Sequence, residues 1–569
     1  MQYPLHPFTS LDGLWRFSFS KETLHEDFWE ERGEMVPVPS AFDALPDLAG
    51  KRGVGVYHTT FSCPPGQRAL LHFGAVSMRS EIWVDGTKLA SHACGYAPFD
   101  VIVPASENRI RQLKVVADNR FDFETAPMHE ETFDFYQYGG ILRSVGVRTL
   151  PSGAWLRGVR VLPTESYREG EVEVMVDVAD AGGKWSARIE IGEESVGSVS
   201  GEDSVESSTV RVRCPNARIW SPADPFLQEL RVVLESVDGS RDDATIRFGL
   251  RRIEARDGKL WLNGDPLVLR GYNRHEWHPN AGPCTPVTQM AADLQLLRGL
   301  GCNFVRGAHY PQDQRFLDLC DAMGFLVWEE NLGWGQREKT FTSERFREHH
   351  AQTLEAMVWA SWNHPSVILW GFLNEAGSDQ DYCGDTIEES VRIIRRLDPS
   401  RPVTYASMFG KVDRHFDKVD VISINQYPGW YCCEGHPSPL DLIAPGIADT
   451  VAAIDARGFG SKPIIVSEIG AEGLYGWHDP HLDFFTEEYQ ADYLRTACEA
   501  VLGNPRLSGI VLWHFSDART YGGGRAMVRP RTFNNKGTFD EYRRPKLAAA
   551  AVAEVFRTER STGILPVLG

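Results

Sequence analysis

Two all-β domains followed by a (β/α)8 barrel are what this sequence predicts. Three observations carry that reading. Short alternating strands separated by Gly, Pro, Asp and Asn fill residues 1–150. The same grammar continues over 151–250 in a more polar, Ser/Glu/Gly-rich stretch. From about Phe248 the pattern changes, and apolar strands alternate with segments of helical periodicity through the barrel region, 251–569. A chain of 569 residues is too long for a single core, so several domains are required in any case.

In the first region the strands read LWRFSF (14–19), VYHTTF (56–61), RALLHFG (68–74), SEIWVDG (80–86), QLKVVADN (112–119) and SVGVRTL (144–150). Regular short strands with turn residues between them predict a sandwich of the jelly-roll kind. Asp85-Gly86 has the chemistry of a two-residue hairpin turn. In the second region VEVMVDV (172–178), WSARIEIG (185–192), STVRVRC (208–214) and QELRVVLES (228–236) alternate cleanly. Strands at this spacing over about a hundred residues predict an immunoglobulin-like sandwich. NARIWSPADP (216–225) reads as a turn-rich loop within it.

The third region holds eight apolar strands: 267–273, 303–309, 325–330, 367–375, 403–407, 421–427, 463–470 and 509–517. Helical periodicity covers 289–301, 315–324, 348–363, 385–398 and 489–503, and a further helix over 546–559 closes the barrel. The last stretch, STGILPVLG, reads as a loose tail.

Composition is that of a globular protein, 42% hydrophobic and 24% charged, and the net charge of −19 argues against a nucleic-acid or anionic-membrane surface. No run reaches the length of a transmembrane helix, and the first residues lack the basic and apolar regions of a signal peptide. Ten scattered cysteines without a CxxC read as free thiols of a reducing compartment. The absent signal and the free-looking thiols together predict a cytoplasmic location.

The chemistry lies at strand ends. VILWGFLNE (367–375) runs apolar and stops at Asn374-Glu375, and PIIVSEIG (463–470) delivers Glu468 in the same way. Barrel enzymes carry their catalytic groups at the C-terminal ends of strands, so these two glutamates are expected to share one mouth. Paired carboxylates there suit glycoside hydrolysis, one kept protonated as general acid and the other ionised. Their separation, which decides between retention and inversion, is not legible in sequence. Other groups end strands beside them. Trp513 is placed to stack on a pyranose ring, Tyr427 to hydrogen-bond the ionised glutamate and Asn374 to hold a sugar hydroxyl, and His309 ends the second strand.

The chain resembles glycoside hydrolase family 2 over nearly its whole length. The resemblance rests on LDGLWRF (11–17), EIWVDG (81–86), YGGILRSV (138–145), LRGYNRHEWHP (269–279), NFVRGAHYP (303–311), NHPSVILWGFLNE (363–375) and PIIVSEIGAEG (463–473). It implies that Glu375 is the acid/base and Glu468 the nucleophile. It also implies net retention and exo-action on a terminal sugar.

RPRTFNNKG (529–537) matches the Asn-x-Lys motif with which family members acting on glucuronides grip the substrate carboxylate, through Asn534 and Lys536. An ammonium and an amide beside an anionic C6 group form charge-assisted hydrogen bonds. NQYPGWY (425–431) resembles the sixth-strand loop of the same group and adds Tyr431 to the site beside Tyr427. The resemblance therefore implies β-glucuronides as substrates. NRHEWHP (273–279) is closer to β-galactosidases, which keeps β-galacturonides and neutral β-galactosides as alternatives. A carbohydrate-binding protein without catalysis is disfavoured, since both glutamates are present. No cofactor is expected. No metal is expected either, since no histidine of a magnesium site follows Glu329 and Glu330. The expected partners are a small-molecule or oligosaccharide glycoside and further copies of the chain.

Overall fold

The computed structural model describes residues 2–22, 33–121, 134–202, 207–433, 435–521 and 529–558. The segment STGILPVLG lies outside them. By internal contacts the chain forms two compact units. One comprises residues 1–120, 138–252 and 359–365, and the other 121–137, 253–358 and 366–569.

The first unit is all β. Its first sandwich sets a six-stranded sheet, with Gly13–Ser20, Val54–Ser62 and Ile110–Asp118 at its centre, beside a four-stranded one. Inward residues of the alternating strands, among them Trp15, Phe17, Tyr57, Ile82 and Val115, form its core. The Asp85-Gly86 turn is a hairpin. Val84 pairs with Thr87, and both turn residues have positive φ, 48° and 82°. The second sandwich packs three strands against four. Strands passed over in the sequence appear here: Trp155–Pro163, Glu194–Glu202 and Arg241–Phe248. Glu194–Glu202 is polar and Ser/Gly-rich, and no apolar alternation marked it.

In the second unit a small three-stranded sheet (Ile253–Leu267) precedes a closed barrel of eight parallel strands. These are β1 (Leu269–Arg274), β2 (Phe304–Gly307), β3 (Leu326–Glu330), β4 (Val367–Asn374), β5 (Val403–Ser407), β6 (Ile422–Asn425), β7 (Ile464–Glu468) and β8 (Leu507–Leu512). Every residue of β4 is buried, as a strand covered on both faces requires. The helices longer than one turn are α1 (Val287–Leu300), α2 (Gln314–Met323), α3 (Glu344–Ser361), α4 (Gly384–Leu397), α5 (Ile443–Ala456), α6 (Glu487–Leu502) and α7 (Leu547–Thr558). Side chains of Asp313 and Thr486 cap the N-termini of α2 and α6.

Helix α5 is absent from the sequence reading. Its first turn carries Pro445 and Gly446, which weaken a helical signal, although proline is tolerated in a first turn because that N–H needs no helical partner. Between β5 and β6 the described residues form only a 3-10 turn, Phe416–Lys418. No helix among the described residues is long and apolar enough to cross a membrane. The ten cysteines are free, and eight of them are buried.

Candidate active site

The ends of β4 and β7 bring Glu375 and Glu468 into one electrostatic neighbourhood, where the charge of Glu375 bears on the proton of Glu468. Glu375 directly follows β4 with φ of 50°, a left-handed conformation that a non-glycine residue adopts only when its surroundings hold it. Its N–H donates to the Ala406 carbonyl at 2.9 Å, and Arg337 Nη1 donates to the Glu375 carbonyl at 2.7 Å.

Glu468 is nearly buried and both its oxygens are engaged. Oε1 accepts from Arg306 Nη1 at 2.9 Å, and Oε2 accepts from the Tyr427 hydroxyl at 2.7 Å. Among the described residues Glu375 has a single side-chain donor, Asn425 Nδ2, at 3.1 Å from Oε1. Burial raises both carboxyls. Burial first, and then the charge of Glu375, push Glu468 up to about 8. Two carboxyls so coupled hold one proton between them at neutral pH. The elevation at Glu468 alone would put that proton there. The hydrogen bonds put it on Glu375, because Glu468 faces a guanidinium and a phenol that both donate, whereas Glu375 faces one neutral amide.

Arg306 organises this mouth. It is fully buried on β2 and also donates to Glu330 through Nε and Nη2 (2.8 and 2.9 Å), to Asn273 at 3.0 Å and to Asn374 at 2.9 Å. His309 Nδ1 lies 2.9 Å from Glu330 Oε1, and its ring stacks on Trp513 at 5.1 Å. Burial pushes His309 well below the usual imidazole range, so the ring is neutral. Trp513 is itself nearly buried, with one face taken by His309. The Asn374 Oδ1 accepts from Arg306 and from Asn425, while its Nδ2 is a buried donor with no partner among the described residues.

Asn534, Lys536 and Tyr431 gather beside the pair. Lys536 is buried, and its ammonium donates to the Tyr431 hydroxyl at 2.9 Å and to Glu472 Oε1 at 3.3 Å. It lies 5.1 to 5.8 Å from the ring centres of Tyr431, Trp430 and Tyr427. Tyr427 thus touches both groups, its hydroxyl on Glu468 and its ring near Lys536. Asn534 Nδ2 donates to Asp134 at 2.8 Å. Arg529 reaches Asp134, Glu472 and the Tyr431 hydroxyl.

Sequence reasoning missed Arg306, Asn425, Glu330, Glu472 and Asp134. Arg306 and Asn425 did leave a signal, a polar side chain inside an apolar barrel strand. Asp134, far away in sequence, left none.

The barrel region, residues 253–558, matches the family model described as glycosyl hydrolases family 2, TIM barrel domain. The chain belongs to glycosyl hydrolase family 2. Among solved structures this glycoside hydrolase is similar to a family 2 β-galacturonidase from Eisenbergiella tayi bound to galacturonate (33% identity, TM-score 0.91, 98% of each chain). It is also similar to a β-glucuronidase from Ruminococcus gnavus in complex with a C6-substituted uronic isofagomine (25% identity, TM-score 0.85, 97% of this chain and 98% of that one). A curated relative, a β-glucuronidase of Paenibacillus borealis, is 28% identical over 587 residues, 95% of each chain.

Proposed function

We propose that this family 2 enzyme is a retaining exo-β-glycosidase of terminal β-D-hexuronides, β-D-glucuronides first among them. Glu468 attacks the anomeric carbon as Glu375 gives its proton to the glycosidic oxygen, and the aglycone leaves. Glu375, now ionised, takes a proton from water, and that water releases the sugar from Glu468. Asn374 Nδ2, buried and unpartnered among the described residues, is placed to hold a sugar hydroxyl.

The observation that carries the uronide reading is Lys536. Its ammonium has three protons; Tyr431 and Glu472 take two, and the third meets no protein acceptor among the described residues. A C6 carboxylate supplies that acceptor, and Asn534 lies beside it in the same motif. The relatives named for uronides support the same class. A second reading, β-D-galacturonides, is favoured by the greater likeness to the β-galacturonidase, TM-score 0.91 against 0.85 for the Ruminococcus gnavus β-glucuronidase. A cytoplasmic location, supported by the free thiols, and a homo-oligomeric state, to be measured by light scattering, belong to the same proposal.

Parallel turnover of 4-nitrophenyl β-D-glucuronide, β-D-galacturonide and β-D-galactoside tests it. The wild type is expected to prefer a uronide, the better one naming the epimer. Lys536→Met is expected to cost about 10²-fold in uronide kcat/KM. Preference for the galactoside, or indifference to Lys536→Met, overturns the uronide reading.

A further inference from the structure

Glu472 lies in the loop after β7, fully buried, and the proposed reaction does not use it. Its Oε1 accepts from Lys536 Nζ at 3.3 Å and from Arg529 Nη1. Its Oε2 accepts from Asn535, through Nδ2 at 3.2 Å and the backbone N–H at 3.4 Å. Burial opposes its charge, but Lys536 and Arg529 hold the carboxyl below its ordinary value, so it is ionised at neutral pH. Asp134 takes the other edge of Arg529, at 3.0 and 2.9 Å, and accepts from Asn534. Two cations therefore already face two carboxylates where the substrate carboxylate is to bind.

We propose that Glu472 is a positioning residue that limits how tightly the C6 carboxylate is held. It aims the Lys536 ammonium and offsets its charge, so that the free hexuronate leaves after hydrolysis. This rests on the uronide reading of Lys536. A buried ammonium without a counter-charge would grip a carboxylate strongly, because charges interact more strongly where water is excluded. That grip would be the same in substrate, transition state and product, and uniform binding does not speed the chemical step. With Glu472 ionised, the bound hexuronate brings a third carboxylate to two cations, and its attraction is partly cancelled in advance.

Glu472→Gln separates aiming from charge, since the amide oxygen still accepts from Lys536 and Arg529 while the negative charge is gone. The Ki of free D-glucuronate and D-galacturonate is expected to fall about tenfold, with uronide KM falling in parallel and kcat not rising. Simple loss of structure would move Ki the other way. An unchanged or raised Ki in a Glu472→Gln protein of near wild-type Tm overturns the proposal. A measurement on the wild type serves should that variant not fold. The hexuronate is expected to outbind its neutral hexuronamide by less than about thirtyfold, and a preference of about 10³-fold or more overturns the offset. Lys536→Met keeps the two levels apart. If it leaves hexuronate Ki unchanged, the uronide reading itself fails. If it raises Ki while Glu472→Gln changes nothing, only the role of Glu472 fails.

Discussion

Arg306 Nη1 donates to Glu468 Oε1 at 2.9 Å, and the other edge of the same guanidinium is gripped by Glu330 at 2.8 and 2.9 Å. One cation thus serves two buried carboxylates, and the nucleophile candidate is aimed by a group that cannot itself swing. Glu330 keeps Arg306 in place, while burial pushes the Glu330 carboxyl up to about 7 against the pull of Arg306. Removing the cation leaves both acids buried without a counter-charge among the described residues, Glu468 with only the Tyr427 hydroxyl and Glu330 with only the neutral His309.

Arg306→Ala is therefore expected to damage stability and turnover together. Leaving a buried charge uncompensated costs about 3–5 kcal/mol. A lower Tm and a fall in kcat well beyond tenfold are expected, the latter because Glu468 loses both its aim and its preference for the ionised form. A variant with wild-type kcat would remove Arg306 from the account.

Glu375→Gln tests the general acid. Losing a positioned proton donor costs roughly 10²–10⁴-fold. The loss is expected to be large for alkyl hexuronides and much smaller for 4-nitrophenyl ones, whose leaving group departs without protonation. Equal losses on both would contradict the role. Glu468→Gln, by contrast, is expected to abolish turnover of both.

The pH dependence follows from the shared proton. Both carboxyls are raised, Glu468 to about 8, and activity needs one proton on the pair. That proton is kept through neutral pH and lost as pH rises. A profile of kcat/KM is expected to be flat near neutrality and to fall on the alkaline side, from about 8. Stability has the same sign. The folded pair holds a proton that the unfolded chain has released above the ordinary 4.5, so its contribution is lost as pH rises from there towards 8. In Glu468→Gln the fall of Tm with pH across that window is expected to be shallower than in the wild type.

The fold and the two glutamates were legible because apolar periodicity reports burial, and a carboxylate that ends an apolar run is conspicuous. The observed barrel strands follow the expected runs, most of them trimmed at the ends where loops begin, although β8 starts two residues earlier, at Leu507, and β1 runs one residue further, to Arg274. What stayed hidden depends on distance in space. Nothing near Asp134 in sequence links it to Asn534, and the pairing of Glu472 with Lys536 joins two loops that only the closed barrel brings together. Glu472 was visible as a residue of PIIVSEIGAEG yet had no stated role, since a carboxylate reads as a surface charge until its cations are located. Polar strands such as Glu194–Glu202 were hidden for the converse reason, because half-exposed sheet edges need little apolar signal.

Gly371 ties the barrel core to the site. It sits inside β4, and a Cβ there would lie 2.0 Å from Trp328 Nε1, closer than any real contact allows. Trp328 is fully buried on β3 and carries Arg306 over its ring at 4.5 Å. A methyl group at position 371 has to push the indole aside, and the indole is the floor on which the guanidinium rests. Gly371→Ala is expected to cost about 1–3 kcal/mol, the usual range for overpacking a filled core. It is also expected to lower kcat more than it raises KM, because the displaced cation belongs to Glu468 and not to the uronate grip. Thermal unfolding and steady-state kinetics on one preparation check both halves. A Gly371→Ala enzyme with lowered Tm but unchanged kcat would mean that Arg306 is held by its hydrogen-bond partners alone, with Trp328 a bystander.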